Sequence, residues 1–270
     1  MIRQVLTMDD LRDRAGSIFA GSGAGYVSDK YRHIATAEVV HGLMKEGFLP
    51  TMASQQRTRT EDRIGFQKHL VRFTHQSYLE GQVGEYHPEI VLVNSHDRTS
   101  AYHLYFGIFR LVCSNGLVVC SSDFGGLTVR HQGSIVDNVI EASYKVIDNA
   151  VEVQTQIDSF RAIELTPEQK IRFAERAMIA KWGNEIAMEK ATTIPEQLIM
   201  PRRVEDNRSD LWTTFNTVQE NLFKGGVAYN RLDRQGRVRT RNTRAIKGIN
   251  ETVMLNQKLW TLAENFTEVA

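Results

Sequence analysis

Residues 90–119, IVLVNSHDRTSAYHLYFGIFRLVCSNGLVV, limit the possible folds more than any other stretch of the chain. Apolar and β-branched residues dominate it, and two turn-forming clusters, Asp97-Arg98-Thr99-Ser100 and Asn115-Gly116, divide it into strands. Such strands are not stable alone in water, so this region predicts a sheet with at least one covered face. Asn-Gly favours the positive φ of a tight two-residue turn, which predicts Ser114 opposite Leu117 and Cys113 opposite Val118.

The flanking sequence supplies the remaining elements. A helix opens at Thr36, carries Val39, Val40, Leu43 and Met44 on one face, and stops at Gly47, with Pro50 reinforcing the stop. Strand-like runs lie near 51–57, 66–76, 89–95, 101–113, 117–121 and 126–131. Ile135, Val139, Ala142, Val146, Ala150, Val153, Ile157 and Phe160 recur every three or four residues and predict one long helix over 134–162. At roughly 1.5 Å per residue it would reach about 43 Å, long enough to cross its own sheet and offer an overhang to another subunit.

Thr166 and Pro167 read as the N-cap and first turn of a second helix bearing Ile171, Ala174, Met178 and Trp182. Pro195 and Pro201 bracket a linker. A third helix carries Leu211, Phe215, Val218 and Leu222, and a last one runs from Val253 to Phe266. The order predicts an α+β fold: a mostly antiparallel β-meander with a long helix packed on it, followed by a helical C-terminal region. Three parts are expected: a flexible N-terminal arm over 1–30, an α+β core over 31–194, and a helical region with a basic arm over 195–270. Gly21-Ser22-Gly23-Ala24-Gly25 suits the arm, because no Lys-Ser/Thr follows it as a phosphate loop requires.

With 270 residues, 41% hydrophobic and 24% charged, the chain can bury a sizeable core. No apolar run approaches the roughly 20 residues of a membrane span, and MIRQVLTMDDLRDRAG lacks a secretory apolar segment, so a cytoplasmic protein with no membrane partner is expected. The two cysteines fit a reducing compartment, and the predicted turn register sets Cys113 apart from Cys120 rather than in a disulfide.

Catalytic signals are sparse. His96, Asp97 and His103 can meet at a strand end, with Asp123 and His131 nearby, but their spacing matches no standard zinc or two-metal pattern. The ordinary reading has Asp97 capping a turn and both histidines half-exposed on strands. Cys113 sits in a strand, where nothing lowers its pKa, and Ser114-Asn115-Gly116 lacks the glycines of a nucleophile elbow. Arg110, before an apolar run, is expected to pair with a carboxylate. No catalytic residue, metal ligand or cofactor is assigned.

Charge is more telling in its distribution than in its total of +1. Arg231, Arg234, Arg237, Arg239, Arg241, Arg244 and Lys247 face only Asp233 within RLDRQGRVRTRNTRAIKG. In an extended arm the alternation at 237, 239 and 241 puts three guanidinium groups on one side, able to track successive phosphates, while Tyr229 can stack on a base. The bland alternative is a solvated loop or a patch facing an acidic neighbour. Arg57, Arg59 and Lys68, with Phe66, form a smaller basic stretch where a meander would present a groove.

NSHDRTSA at 94–101, RLVCSNG at 110–116, LWTTFNTVQENLFKGG at 211–226 and the arginine-rich stretch together resemble an uncharacterised family carried by plasmids and prophages, the one that includes YfjQ and YafZ. The resemblance runs from about residue 30 to 265 and implies a genomic context beside replication and anti-defence genes, with no activity attached. The element order also looks like that of RecT-class single-strand annealing proteins, an analogy of layout alone.

The expectation is a non-catalytic DNA-binding protein of plasmids or phages, taking single strands for annealing, recombination or protection, and able to form a homo-oligomer. The alternative is a protein-binding antagonist of a host defence or repair system, its basic arm gripping an acidic host protein. A metal-dependent nuclease is the second alternative.

Overall fold

Consecutive apolar runs joined by short connections pair most readily with their sequence neighbours, and the strands do so. In the computed structural model β1 (Phe48–Gln55), β2 (His69–His75), β3 (Tyr86–Asn94), β4 (Tyr102–Arg110) and β5 (Gly116–Val119) form an antiparallel sheet in sequence order. β6 (Leu127–Val129) shares the outer edge of β4 with β5: β5 pairs with Phe106 to Phe109, β6 with Tyr102 to Leu104. The structure describes residues 4–25, 33, 35–79, 86–97, 99–110, 116–119, 127–129, 134–148, 150–184, 194–232 and 235–266.

On β4, Leu117 pairs with Ile108 and Val118 with Gly107, where the Asn-Gly turn predicts Ser114 and Cys113. A turn signal is a local preference, whereas register is set by which side chains reach the buried face. Residues 111–115, and with them Cys113, Ser114 and Asn115, lie outside the described residues, as do Cys120, Asp123 and His131. Arg110 ends β4, but its side chain is likewise not described.

The chain divides into two compact units, Met1–Ala150 and Val151–Ala270. The division falls inside the stretch expected as one long helix. Helices occupy Ile135–Asp148 (α3) and Ala150–Ala162 (α4), and most of α4 belongs to the second unit. The stripe is buried in both, apart from half-buried Ala150, but against different partners, and this is why one periodicity spans two units. α3 packs on β3, β4 and β6, and on α2 (Thr36–Lys45), whereas Phe160 of α4 meets Trp260 with ring centroids 5.4 Å apart.

In the first unit one sheet face is apolar, with Val71, Phe73, Ile90, Leu92, Leu104 and Phe106 all buried. The opposite face of β2 and β3 buries Arg72 and Glu89, which form an ion pair. The segment expected to be a loose arm is packed from residue 4 to 25. Thr7 and Asp10 form a capping box on α1 (Met8–Arg14), Leu6 N–H donates to the Pro50 carbonyl at 2.8 Å, and Leu11, Ala15 and Ile18 are fully buried. Glycines at 21, 23 and 25 suggested looseness, but the apolar side chains before them supply the docking.

The second unit is helical, built on α5 (Pro167–Trp182), α6 (Ile194–Leu198), α7 (Leu211–Lys224) and α8 (Ile249–Phe266). Thr166 caps α5 as expected, completed into a capping box by Gln169. The region bracketed by Pro195 and Pro201 is not a bare linker: α6 forms there and buries Ile194, Pro195 and Leu198. α7 is buried on every side from Leu211 to Leu222, well beyond the expected stripe. Its Asn221 Nδ2 donates to the carbonyls of Leu198 and Met200 at 2.8 and 3.0 Å, while its Oδ1 accepts from Arg202 Nε at 2.6 Å.

Removing one partner of a buried ion pair strands the other charge. Arg72→Met is therefore expected to destabilise the protein by about 3–5 kcal/mol, and Arg72→Met with Glu89→Leu to recover most of the loss. Urea denaturation of the two variants checks this, and equal losses would refute it.

Candidate functional site

The arginine-rich segment folds as a β-hairpin anchored at the end of α7. Gly225 and Gly226, at φ of 64° and 79°, let the chain leave the helix. A Cβ at Gly225 would lie 2.6 Å from the Arg244 carbonyl carbon, so only glycine admits the returning strand. Gly226 N–H donates to the Thr243 carbonyl and Thr243 N–H to the Val227 carbonyl, both at 2.9 Å. The Gln197 side chain acts as an extra strand, donating to the Ala228 carbonyl at 2.8 Å and accepting from its N–H at 3.0 Å.

On this base β7 (Ala228–Leu232) pairs with β8 (Val238–Asn242), setting Tyr229 opposite Arg241 and Arg231 opposite Arg239. Thr240 and Asn230 occupy the other face and hydrogen-bond to each other at 3.0 Å.

The hairpin forms one wall of a cleft of about 1150 Å³ within the second unit. Arg237, Arg239, Arg241 and Arg244 line it and are exposed, together with half-buried Tyr229. The end of α5 contributes Lys181 and Trp182, and the start of α8 contributes Glu251. Five cationic side chains thus share the cleft with one carboxylate. Lys181 Nζ lies 5.0 Å from the Trp182 ring centroid and donates to the Leu222 carbonyl near the end of α7. Burial lowers its pKa from an ordinary 10.5 to about 8, against the opposing pull of Glu251.

Other expected site residues lie elsewhere. Lys247 is exposed but does not line the cleft, the Arg231 side chain is not described, and Arg234 lies outside the described residues. Arg57 and Arg59 are exposed on the loop after β1, in the first unit. Lys68, expected to join them in a groove, is instead buried beside β2, where desolvation lowers its pKa while Asp97 opposes the shift. Lys181, Trp182 and Glu251 carry no sequence signal that brings them to the cleft, because helix periodicity marks core positions and carries no information on which helix ends converge.

The His96–Asp97–His103 group resolves into structure. Asp97 caps its turn, accepting from Thr99 N–H at 3.1 Å and Thr99 Oγ1 at 2.6 Å. Burial works against its charge, yet hydrogen bonds from Thr99 and Ser95 and the nearby Arg63 hold its pKa below the usual carboxylate value. His96 is fully buried rather than half-exposed, and His103 is half-buried on β4 beside Thr128.

A wholly buried hydroxyl organises the histidines. Thr36 Oγ1 lies 2.9 Å from His69 Nε2 and 3.1 Å from His96 Nε2, and accepts from Asn94 Nδ2 at 3.1 Å. A hydroxyl donates once, so one histidine donates to Thr36 and the other accepts from it. The N-cap of α2 is Ala35, which offers no side-chain cap, while the hydroxyl of the first helical residue, Thr36, is committed to the sheet. No group of histidine, cysteine and acidic residues among the described residues could hold a metal ion, and no described helix is long and apolar enough to cross a membrane.

A family model described as a domain of unknown function (DUF932) matches residues 24–260. The chain belongs to that family. The UPF0380 proteins YfjQ and YafZ of Escherichia coli are each 37% identical to it over 260 residues, covering 96% of this chain and 90% of each relative. No solved structure matches the chain.

Two pH dependences follow. Burial holds His69 near 4, well below its ordinary 6.5, so the unfolded chain takes up a proton that the folded chain refuses between those values. Stability is expected to fall as pH drops from 6.5 to 4, and the fall to shrink in His69→Gln, by urea denaturation across that range. Lys181 behaves similarly at higher pH: stability gains a rising component between about 8 and 10.5 that Lys181→Met lacks. Identical pH profiles for that variant and the parent would refute the assignment.

Proposed function

We infer that the arginine-lined cleft binds single-stranded nucleic acid, DNA in the first place, as a non-catalytic partner. The carrying observation is the convergence of five cationic side chains and two aromatic rings in one cleft with a single carboxylate. A polyanion needs cations repeated along a line, and alternate residues of a strand repeat about every 6.8 Å. Guanidinium groups suit this role because their planar forks meet phosphate oxygens in pairs. Tyr229 and Trp182 offer faces on which unpaired bases can stack, which a duplex would not present.

Such binding is electrostatic and weakly selective for sequence. It suits a cytoplasmic protein of plasmids or phages that protects, anneals or recombines single strands, with further copies able to assemble along the strand.

Fluorescence anisotropy with a labelled oligonucleotide tests the reading. Micromolar or tighter binding is expected at low salt. If about four phosphates are neutralised, the logarithm of affinity should fall with the logarithm of salt with a slope near −3. Changing Arg237, Arg239 and Arg241 together to alanine should weaken binding and flatten that slope by about 2. No binding at low salt, or an unchanged slope in the triple variant, overturns the proposal.

A further inference from the structure

A second cavity, of about 240 Å³, lies in the same unit and shares no residue with the arginine cleft. The chain builds it by pinning two connections together. Leu165 N–H donates to the Ser209 carbonyl at 2.9 Å and Leu211 N–H to the Ile163 carbonyl at 2.8 Å, the two bonds of an antiparallel backbone bridge that sets Glu164 opposite Asp210. Lys170 Nζ fastens the same loop through the Arg208 carbonyl at 3.0 Å and Ser209 Oγ at 3.2 Å. Asp206 is held by Arg203 Nη1 at 3.2 Å. The cavity is therefore framed by a braced loop.

Its lining divides by chemistry. Leu165, Pro167, Ile199 and Pro201 give apolar walls, and Arg208 is exposed at the loop. From α7 come Thr214 and Thr217, three residues apart and so on one helix face. Each is about 4% exposed, and the hydroxyl of neither has a hydrogen-bond partner. Buried hydroxyls almost always find one, and a helical threonine has the carbonyl four residues back within reach. On a helix whose Asn216, Gln219, Glu220 and Asn221 all hydrogen-bond, two neighbouring orphans beside one cavity form a local exception.

We propose that this cavity is a binding site for a single nucleotide, with the heterocycle between the apolar walls, its polar edge satisfying Thr214 and Thr217, and its phosphate at Arg208 and Lys170. At roughly 30 Å³ per water the space equals about eight waters, room for one ring system and too little for two stacked bases. Threonine hydroxyls donate and accept, so they match the mixed edge of a base, and the Asp206 carboxylate suits an exocyclic amine. The nucleotide can arrive free or as the terminal residue of a strand. The site stands apart from the cleft, so its fate does not depend on the strand-binding reading.

Calorimetric titration of the full chain with the four common nucleoside monophosphates, and with a short oligonucleotide carrying a 5′ phosphate, tests this. At least one monophosphate should saturate. Thr214→Val with Thr217→Val keeps the side-chain shape and removes both hydroxyls; it should weaken that binding about tenfold or more while raising the Tm of the ligand-free protein. Arg208→Ala, on the exposed rim, should weaken binding without lowering Tm. Saturation by the oligonucleotide with the same sensitivity to the valine variant would assign the source as a strand end, whereas a response to monophosphates alone would assign free nucleotide. Failure of every ligand to saturate, binding unaffected by the valine variant, or a lowered Tm in that variant would overturn the proposal. The Arg237, Arg239 and Arg241 alanine variant should leave monophosphate binding unchanged, so loss of the cleft and loss of this cavity are told apart.

Discussion

A helix buried on all sides has to satisfy its polar side chains inside the protein, and this requirement on α7 organises the second unit. Asn221 holds the carbonyls that end α6, and Glu220 holds Arg203 and Lys224. Burial alone would raise the Glu220 pKa, yet the hydrogen bonds from these two cations keep it below its ordinary value. Gln219 reaches Asn256 on α8 at 3.0 Å, and Asp210 caps the first turn through Thr213. Each bond ties a different segment to one axis. The hairpin base at Gly225 and the end of α5 at Lys181 are thereby set beside each other, and the arginine cleft is the consequence.

Both candidate sites are departures from the arrangement that would stabilise the empty protein best. α7 leaves two threonine hydroxyls without partners in an otherwise satisfied row. Lys181, desolvated at the cleft and facing a single carboxylate, is a second such departure. Local rules broken next to open space are where a ligand would contribute what the fold omits. The buried histidine group of the first unit is the contrary case. Thr36 makes every hydrogen bond its hydroxyl can, and the group reads as a structural clasp between the N-terminal segment, α2 and the sheet.

Elements with a strong local signal were legible in the sequence: the N-cap at Thr166, the stop at Gly47, the strands of the meander, and the final helix. The alternation at 237, 239 and 241 puts Arg239 and Arg241 on the exposed strand β8, with Arg237 just before it. What misled was inference from one signal to a longer range. A continuous apolar stripe over 135–160 implied packing across one sheet, although its two halves serve different units. Glycines at 21–25 implied a loose arm, although Leu6, Leu11 and Ile18 dock it. Lys68 was counted as surface charge, because no sequence pattern reports that a strand is covered on both faces.

The amino-acid sequence by itself determined where most of the helices and strands form, that the fold is α+β, and that positive charge is concentrated near residues 231–247, since each depends on side chains a few positions apart. Tertiary structure alone decided that this charge meets Lys181, Trp182 and Glu251 in one cleft, that α7 is buried on every side from Leu211 to Leu222, and that two of its threonines are left facing a cavity. Those outcomes depend on which surfaces exclude water from one another, and solvent exclusion couples residues far apart in the chain without leaving a periodic trace in it.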